Sequence, residues 1–208
     1  MHPHIQELIS QGENQQLDFK YCISDTRKIA RSLVAFSNTD GGILLVGVKD
    51  NGTVAGIRDD EEYYMIETAA YIFCRPEIKF ESQTWNIEGK TILEIIVPKG
   101  DKKPSLAKEE NGKWRAYIRV NDQNLLANRV LIKTWERQKR PKGTFIKYSR
   151  LEKILLDYMK KHEEISLEKF CTIAHISKYT AENIFINLLS VEVISIRFTE
   201  KDIFYSLC

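Results

Sequence analysis

The stretch from Lys28 to Ile57, KIARSLVAFSNTDGGILLVGVKDNGTVAGI, constrains the fold more than any other part of the chain. Ile29, Leu33 and Phe36 share one helical face while Arg27, Lys28 and Arg31 fall elsewhere, which predicts an amphipathic helix. Asn38, Thr39 and Asp40 resist continuing it, and Gly41-Gly42 frees the backbone to reverse. ILLVGV is a continuous apolar run bounded by turn residues and too short to span a membrane, as expected of a strand covered on both faces. Asp50-Asn51-Gly52 is a hairpin signal, because Asn-Gly tolerates the positive φ of a tight turn, and TVAGI is the returning strand. Gly47 and Gly56, inside these strands, predict a bulge or another segment in close approach.

The flanking sequence extends this unit. Pro3 to Gln11 reads as a short helix stopped by Gly12. QQLDFKYC alternates, with Leu17, Phe19 and Tyr21 on one face and Asp18 and Lys20 on the other, which predicts a half-buried strand carrying charge on its open face. EEYYMIETAAYIFC has the acidic first turn that suits a helix N-terminus. Ile78 to Trp85, KTILEIIVP and WRAYIRV read as strands, and Asn111-Gly112 allows a second hairpin in the polar loop before the last. Strands with helices inserted early argue for an α+β fold with a mixed sheet rather than a doubly wound one.

Composition shifts at RQKRPKGTFIKYSR, residues 137–150, which hold six basic side chains and no acid and are broken by Pro141 and Gly143. The whole chain carries 31 basic and 29 acidic residues, so the net charge of +2 points to no partner by itself. There are 18 basic and 19 acidic residues before Trp135 and 13 and 10 from it onward, so the halves carry −1 and +3. Beyond the linker come helical patterns at 151–162, from Ser166, and at Thr180–Leu189. VISIRF and IFYSL then pair as a ribbon. That is the order of a winged helix-turn-helix. The expected domains are therefore 1–136, a basic linker at 137–150, and a winged helix-turn-helix at 151–208.

GENQQLDFK at Gly12 to Lys20, followed by AFSNTDGGILLVGVKDNGTVAGI, resembles the Schlafen AlbA_2 domain, for which the resemblance implies DNA binding. The family's third block, a Pro and then YxRxxxxNxxA, is matched by Pro104, Tyr117, Arg119, Asn124 and Ala127. Three blocks in order are far more specific than a lone glycine motif. Animal Schlafen proteins carry three acidic residues in such a domain that support metal-dependent RNA cleavage. The resemblance places the first two at Glu13 and Asp18, and Asp50, beside the hairpin turn, is taken as the third; converging there, these carboxylates would hold Mg²⁺ or Mn²⁺. Asp stands at 18 where the family usually has Glu. The plainer reading of all three is solvated strand and turn charge.

An ATP-binding reading, attached to the family by old labels, lacks both G-x-x-x-x-G-K-[ST] and G-x-G-x-x-G. The favoured function is DNA binding by a transcriptional regulator, with no cofactor. Lys20, Arg137, Lys139, Arg140, Lys142 and Lys147 are assigned to phosphates, and Asn183 and Asn187 to adenine edges. Six linker charges on phosphates would give a salt slope of about −5. Asn38 to Gly42 could add a polar rim, although a helix cap and turn already explain the glycines. The alternative is a divalent-metal-dependent endoribonuclease acting on structured RNA. A homodimer is expected, since such modules pair across two half-sites. Cys22, Cys74, Cys171 and Cys208 form no C-x-x-C pair and read as free thiols in the cytoplasm, and no secretory signal or membrane-length run is present.

Overall fold

The computed structural model describes residues 3–140 and 148–208, which form two compact units meeting in sequence at Ala127 and Asn128. The boundary expected at 136/137 therefore falls inside a helix of the second unit. Among the described residues no helix is long and apolar enough to cross a membrane.

The first unit is a mixed α+β arrangement. Its elements are α1 (Pro3–Gln11), β1 (Leu17–Lys20), α2 (Thr26–Asn38), β2 (Gly42–Val46), α3 (Glu61–Ile72), β3 (Cys74–Arg75), β4 (Glu81–Ile87), β5 (Lys90–Val97), β6 (Leu106–Lys108), β7 (Trp114–Arg115), β8 (Tyr117–Val120) and β9 (Gln123–Leu126). The principal sheet runs β1-β2-β5-β4, with β1 parallel to β2 and the other pairs antiparallel. The parallel step requires a crossover, which α2 supplies. Beside this sheet lie a small sheet in the order β3-β6-β7 and the β8–β9 hairpin.

Period-two alternation sorts the side chains of β2 between two cores. Leu44 and Val46 join Leu33, Phe36, Ile66, Leu93 and Ile95 under α2 and α3. Leu45 joins Ile5, Leu17, Phe19, Val48, Ile87 and Ile92 on the α1 side. The continuous apolar run is thus covered on both faces, as its sequence predicts. The hairpin after it is looser than expected, since Val48 and Val54 meet in an isolated bridge and TVAGI forms no strand. Gly47 has φ +93°, and a Cβ there would lie 2.9 Å from the Gly56 carbonyl carbon. The two glycines therefore face one another across this turn.

The second unit contains α4 (Arg129–Gln138), α5 (Arg150–Met159), β10 (Ile165–Ser166), α6 (Leu167–Ala174), α7 (Lys178–Ser190), β11 (Ile194–Phe198) and β12 (Ile203–Leu207). Side-chain caps at Asn128, Ser149, Ser166 and Ser177 start its helices, and Ser149 with Glu152 completes a capping box. Its antiparallel sheet runs β10-β12-β11. The core centres on Phe185, which lies 5.5 Å from Phe170 and stacks on Tyr205 at 4.0 Å. Helix α4 packs along α7, and Val130 joins this core.

Candidate nucleic-acid interface

The motif residues of the first unit meet in a buried polar network rather than at its surface. The alternation of β1 holds, but α2 covers the face on which Asp18 lies, so Asp18 is 3% exposed. Its Oδ1 accepts from Arg119 Nη2 at 3.3 Å, and its Oδ2 accepts from Ser32 Oγ at 3.3 Å and pairs with Lys20 Nζ at 3.0 Å. Arg119 also donates to the Leu17 carbonyl at 3.1 Å and to Asn124 Oδ1 at 3.1 Å, and Asn124 donates in turn to Ser32 Oγ at 2.9 Å. The expected open, charged face of this strand is corrected accordingly.

Glu13 lies at the rim of this network. Its Oε1 accepts from the Phe19 N–H at 2.9 Å and sits 3.9 Å from Lys20 Nζ. Desolvation, and then a hydrogen bond shared with Asp18, raise the Glu13 pKa. Burial alone would raise Asp18 as well, but the Glu13 hydrogen bond and the Lys20 and Arg119 charges outweigh it and hold Asp18 below the ordinary range. The two carboxyls therefore move apart, with Glu13 the proton holder. A raised folded pKa favours folding below the unfolded value and loses that contribution as pH rises through the folded one. The N-terminal unit should thus lose stability as pH climbs from about 4.5 through the raised Glu13 pKa. Glu13→Gln, which still accepts from Phe19, should flatten that decline in thermal melts across pH 4–7; an unaltered profile would show that Glu13 does not titrate there.

Glu13 and Asp18 are thus brought together, and Asp50 is not. Asp50 is exposed at the hairpin, and among the described residues no three His, Cys, Asp or Glu side chains gather where a metal ion could sit. The oxygens of Asp18 are already engaged by an Arg, a Lys and a Ser. A divalent ion needs an accessible set of anionic oxygens, and this arrangement does not fit one.

Most of the Asn38–Gly42 segment is internal as well, while Asp40 is exposed and paired with Lys99 at 3.0 Å. Asn38 is 2% exposed, and its amide donates to the carbonyls of Ser105 and Tyr117 at 2.9 and 2.8 Å and accepts from the Ser105 N–H at 2.7 Å. Thr39 Oγ1 accepts from the Arg119 N–H at 2.9 Å. A Cβ on Gly42 would lie 2.3 Å from the Phe36 ring, and one on Gly41 would lie 2.8 Å from the Val97 carbonyl oxygen. Packing explains these residues, and no phosphate rim forms from Asn38. Lys20 is likewise turned inward, its ammonium donating to the Phe19 carbonyl at 2.7 Å beside Asp18, so it is not a free phosphate contact. His4, in α1, bonds Glu94 at 2.8 Å, and Trp85 donates to the same buried carboxylate at 2.7 Å.

In the second unit Arg137 is the penultimate residue of α4, with Lys139 and Arg140 exposed just beyond it. Arg137 Nη1 is buried and has no hydrogen-bond partner among the described residues. Burial and then the neighbouring Arg140 charge lower the Arg137 pKa, so both disfavour its cation. Glu136, the adjacent acid, is paired with Lys133 at 2.6 Å. Lys142 and Lys147 lie outside the described residues. Asn183 and Asn187 are half-buried on α7, whose Ala181, Ile184, Phe185, Ile186, Leu188 and Leu189 are buried and along which α4 packs. Asn183 and Asn187 thus stay partly accessible on a helix whose apolar side chains are turned into the core.

The sequence profile of the family described as Schlafen, AlbA_2 matches residues 13–128. The chain belongs to the Schlafen AlbA_2 family. Within its AlbA_2 domain the signature residues Asp18, Asn38, Thr39, Arg119 and Asn124 are the bonded network described above. A comparison with curated proteins finds no match. Among solved structures the chain is similar to the DIP2311 protein of Corynebacterium diphtheriae, at 18% identity and a TM-score of 0.45, over 68% of this chain and 32% of that one. It is also similar to the N-terminal domain of a RecG-related protein of Nitrosomonas europaea, at 24% identity and a TM-score of 0.43, over 60% of this chain and 95% of that one. The chain thus spans about a third of the DIP2311 protein.

Proposed function

We propose that this protein binds DNA as a transcriptional regulator, holding the phosphate backbone at the basic end of α4. The observation that carries this reading is Arg137, a half-buried guanidinium with one nitrogen unpaired among the described residues, beside a second Arg. A cation disfavoured by its own surroundings gains most from an incoming anion, and a phosphate oxygen is the acceptor such a fork fits. Membership of the AlbA_2 family supports the same reading. The element order α5-β10-α6-α7-β11-β12 supports a winged helix-turn-helix, with β11–β12 as the wing. In this proposal the C-terminal unit grips phosphates rather than reading bases through α7, and a homodimer presents two such units to two half-sites.

The test is a salt titration of duplex binding. Each phosphate contact contributes about 0.9 to the slope of log K against log salt. The triple variant Arg137→Ala, Lys139→Ala and Arg140→Ala should weaken binding and reduce the slope by about 2–3. An unchanged affinity and slope would remove this end of α4 from the interface.

A further inference from the structure

Cations lie over aromatic rings at Arg27, Arg31, Lys49, Arg75, Lys108, Arg119, Arg129 and Arg197. Four of them also hold a carboxylate, Arg31 with Glu109, Arg119 with Asp18, Arg129 with Glu182 and Arg197 with Glu164. Of the other four, Arg27, Arg75 and Lys108 gather at one place, the small β3-β6-β7 sheet. Arg75 lies 4.9 Å and Lys108 5.9 Å from the Trp114 ring centre, and Lys108 is opposite Trp114 in the register. The Lys108 N–H bonds the Phe73 carbonyl at 2.9 Å, which brings a second unit, Arg27 over Phe73 at 5.0 Å, to the corner of the same sheet.

Arg27 Nε, like Arg137 Nη1, is buried with no hydrogen-bond partner among the described residues. Glu109, next in sequence to Lys108, is taken up by Arg31 and by the Tyr117 hydroxyl at 2.6 Å. That hydroxyl, pushed up to about 12 by burial and the Glu109 bond, stays a donor and keeps the acid occupied. The result is a short platform of flat side chains and cations, with Arg75 exposed and Trp114 half-buried, beside which Glu109 is already paired and Glu77 and Glu110 are exposed.

We infer that this face binds single-stranded nucleic acid, the cations taking phosphates and the planar groups taking bases. A single strand suits the face better than a duplex, because only unpaired bases offer π-faces to rings and guanidinium planes. The inference rests on the nucleic-acid reading above but places a second contact in the other unit, on different residues and for a different form of the polymer.

Fluorescence anisotropy with labelled dT12, U12 and a 12-base-pair duplex tests it. Trp114→Ala should weaken dT12 binding by about ten- to a hundred-fold, the range expected for losing one stacked base, and leave duplex affinity unchanged. Arg75→Glu with Lys108→Glu should do the same, and these changes serve if the Trp114 variant does not melt like the parent. Tighter binding of U12 than of dT12, lost in the same variants, assigns the face to RNA; the reverse assigns it to DNA. If both variants hold dT12 like the parent while the α4 triple variant loses duplex, this face is wrong and the α4 reading stands. An equal loss on duplex overturns the single-strand assignment, and a parent protein that binds none of the three overturns both proposals.

Discussion

Replacing Arg119 by Ala should lower the stability of the N-terminal unit by about 3–5 kcal/mol, the cost of removing one partner from a buried ion pair. Arg119 is 2% exposed and reaches Asp18, Asn124 and the carbonyls of Leu17 and Asn14, with its guanidinium 5.2 Å from the Phe36 ring centre. Without it, two carbonyls and an amide oxygen lose a donor, and Asp18 keeps only Lys20 as a cation. The loss is therefore larger than a single hydrogen bond, at about 1 kcal/mol, would suggest. Changing Asp18 to Leu in the same chain should recover part of it, because the stranded charge is then gone. Urea denaturation reads both effects as midpoint shifts. If Arg119→Ala costs under about 1 kcal/mol, the network adds little stability and its residues must be explained by function instead.

Phe185→Ala should cost the C-terminal unit a similar amount, about 3–5 kcal/mol. The ring is fully buried between Phe170 and Tyr205, its plane within 6° of the Tyr205 ring. Removing it opens a cavity among aromatic neighbours too large to close over it. Phe185→Leu, which refills much of the space, should lose less. A loss below about 1 kcal/mol for the Ala variant would show that these rings do not organise the core.

Both predictions concern residues whose importance was only partly legible. Local signals were legible where one face of an element decides its form. Pro3–Gln11 forms the expected helix, ILLVGV is buried on both sides, and the Ser166 cap starts α6. Alternation along LDFK also assigned Asp18 and Lys20 to one face correctly. It could not say what covers that face, because the cover comes from Ser32 and from Arg119, 101 residues away from Asp18. The same holds for His4 and Glu94, 90 residues apart.

The acidic residues show the limit of carrying a motif over. The resemblance supplied Glu13 and Asp18 and the hairpin position suggested Asp50, but whether three carboxylates converge depends on distances that no pattern states. Helix α4 was missed for a different reason. Its start signal, Asn128 followed by Val130, Leu131 and Thr134 at helical spacing, was present, but the basic run and Pro141 drew the boundary later. The β3-β6-β7 platform was invisible because strands of two or three residues are too short for periodicity to register.

The docking of α4 along α7 determines where the molecule can be divided. A piece that opens at Asn128 keeps the Asn128 cap and the inward-facing Val130 and Thr134 with the helices they cover. A piece that opens at Leu151 instead shears that layer away and uncovers the flank of α7 beneath it. A bare greasy strip of that kind is a ready surface for self-association, so aggregation of the shorter piece would report a missing lid rather than a module unable to fold.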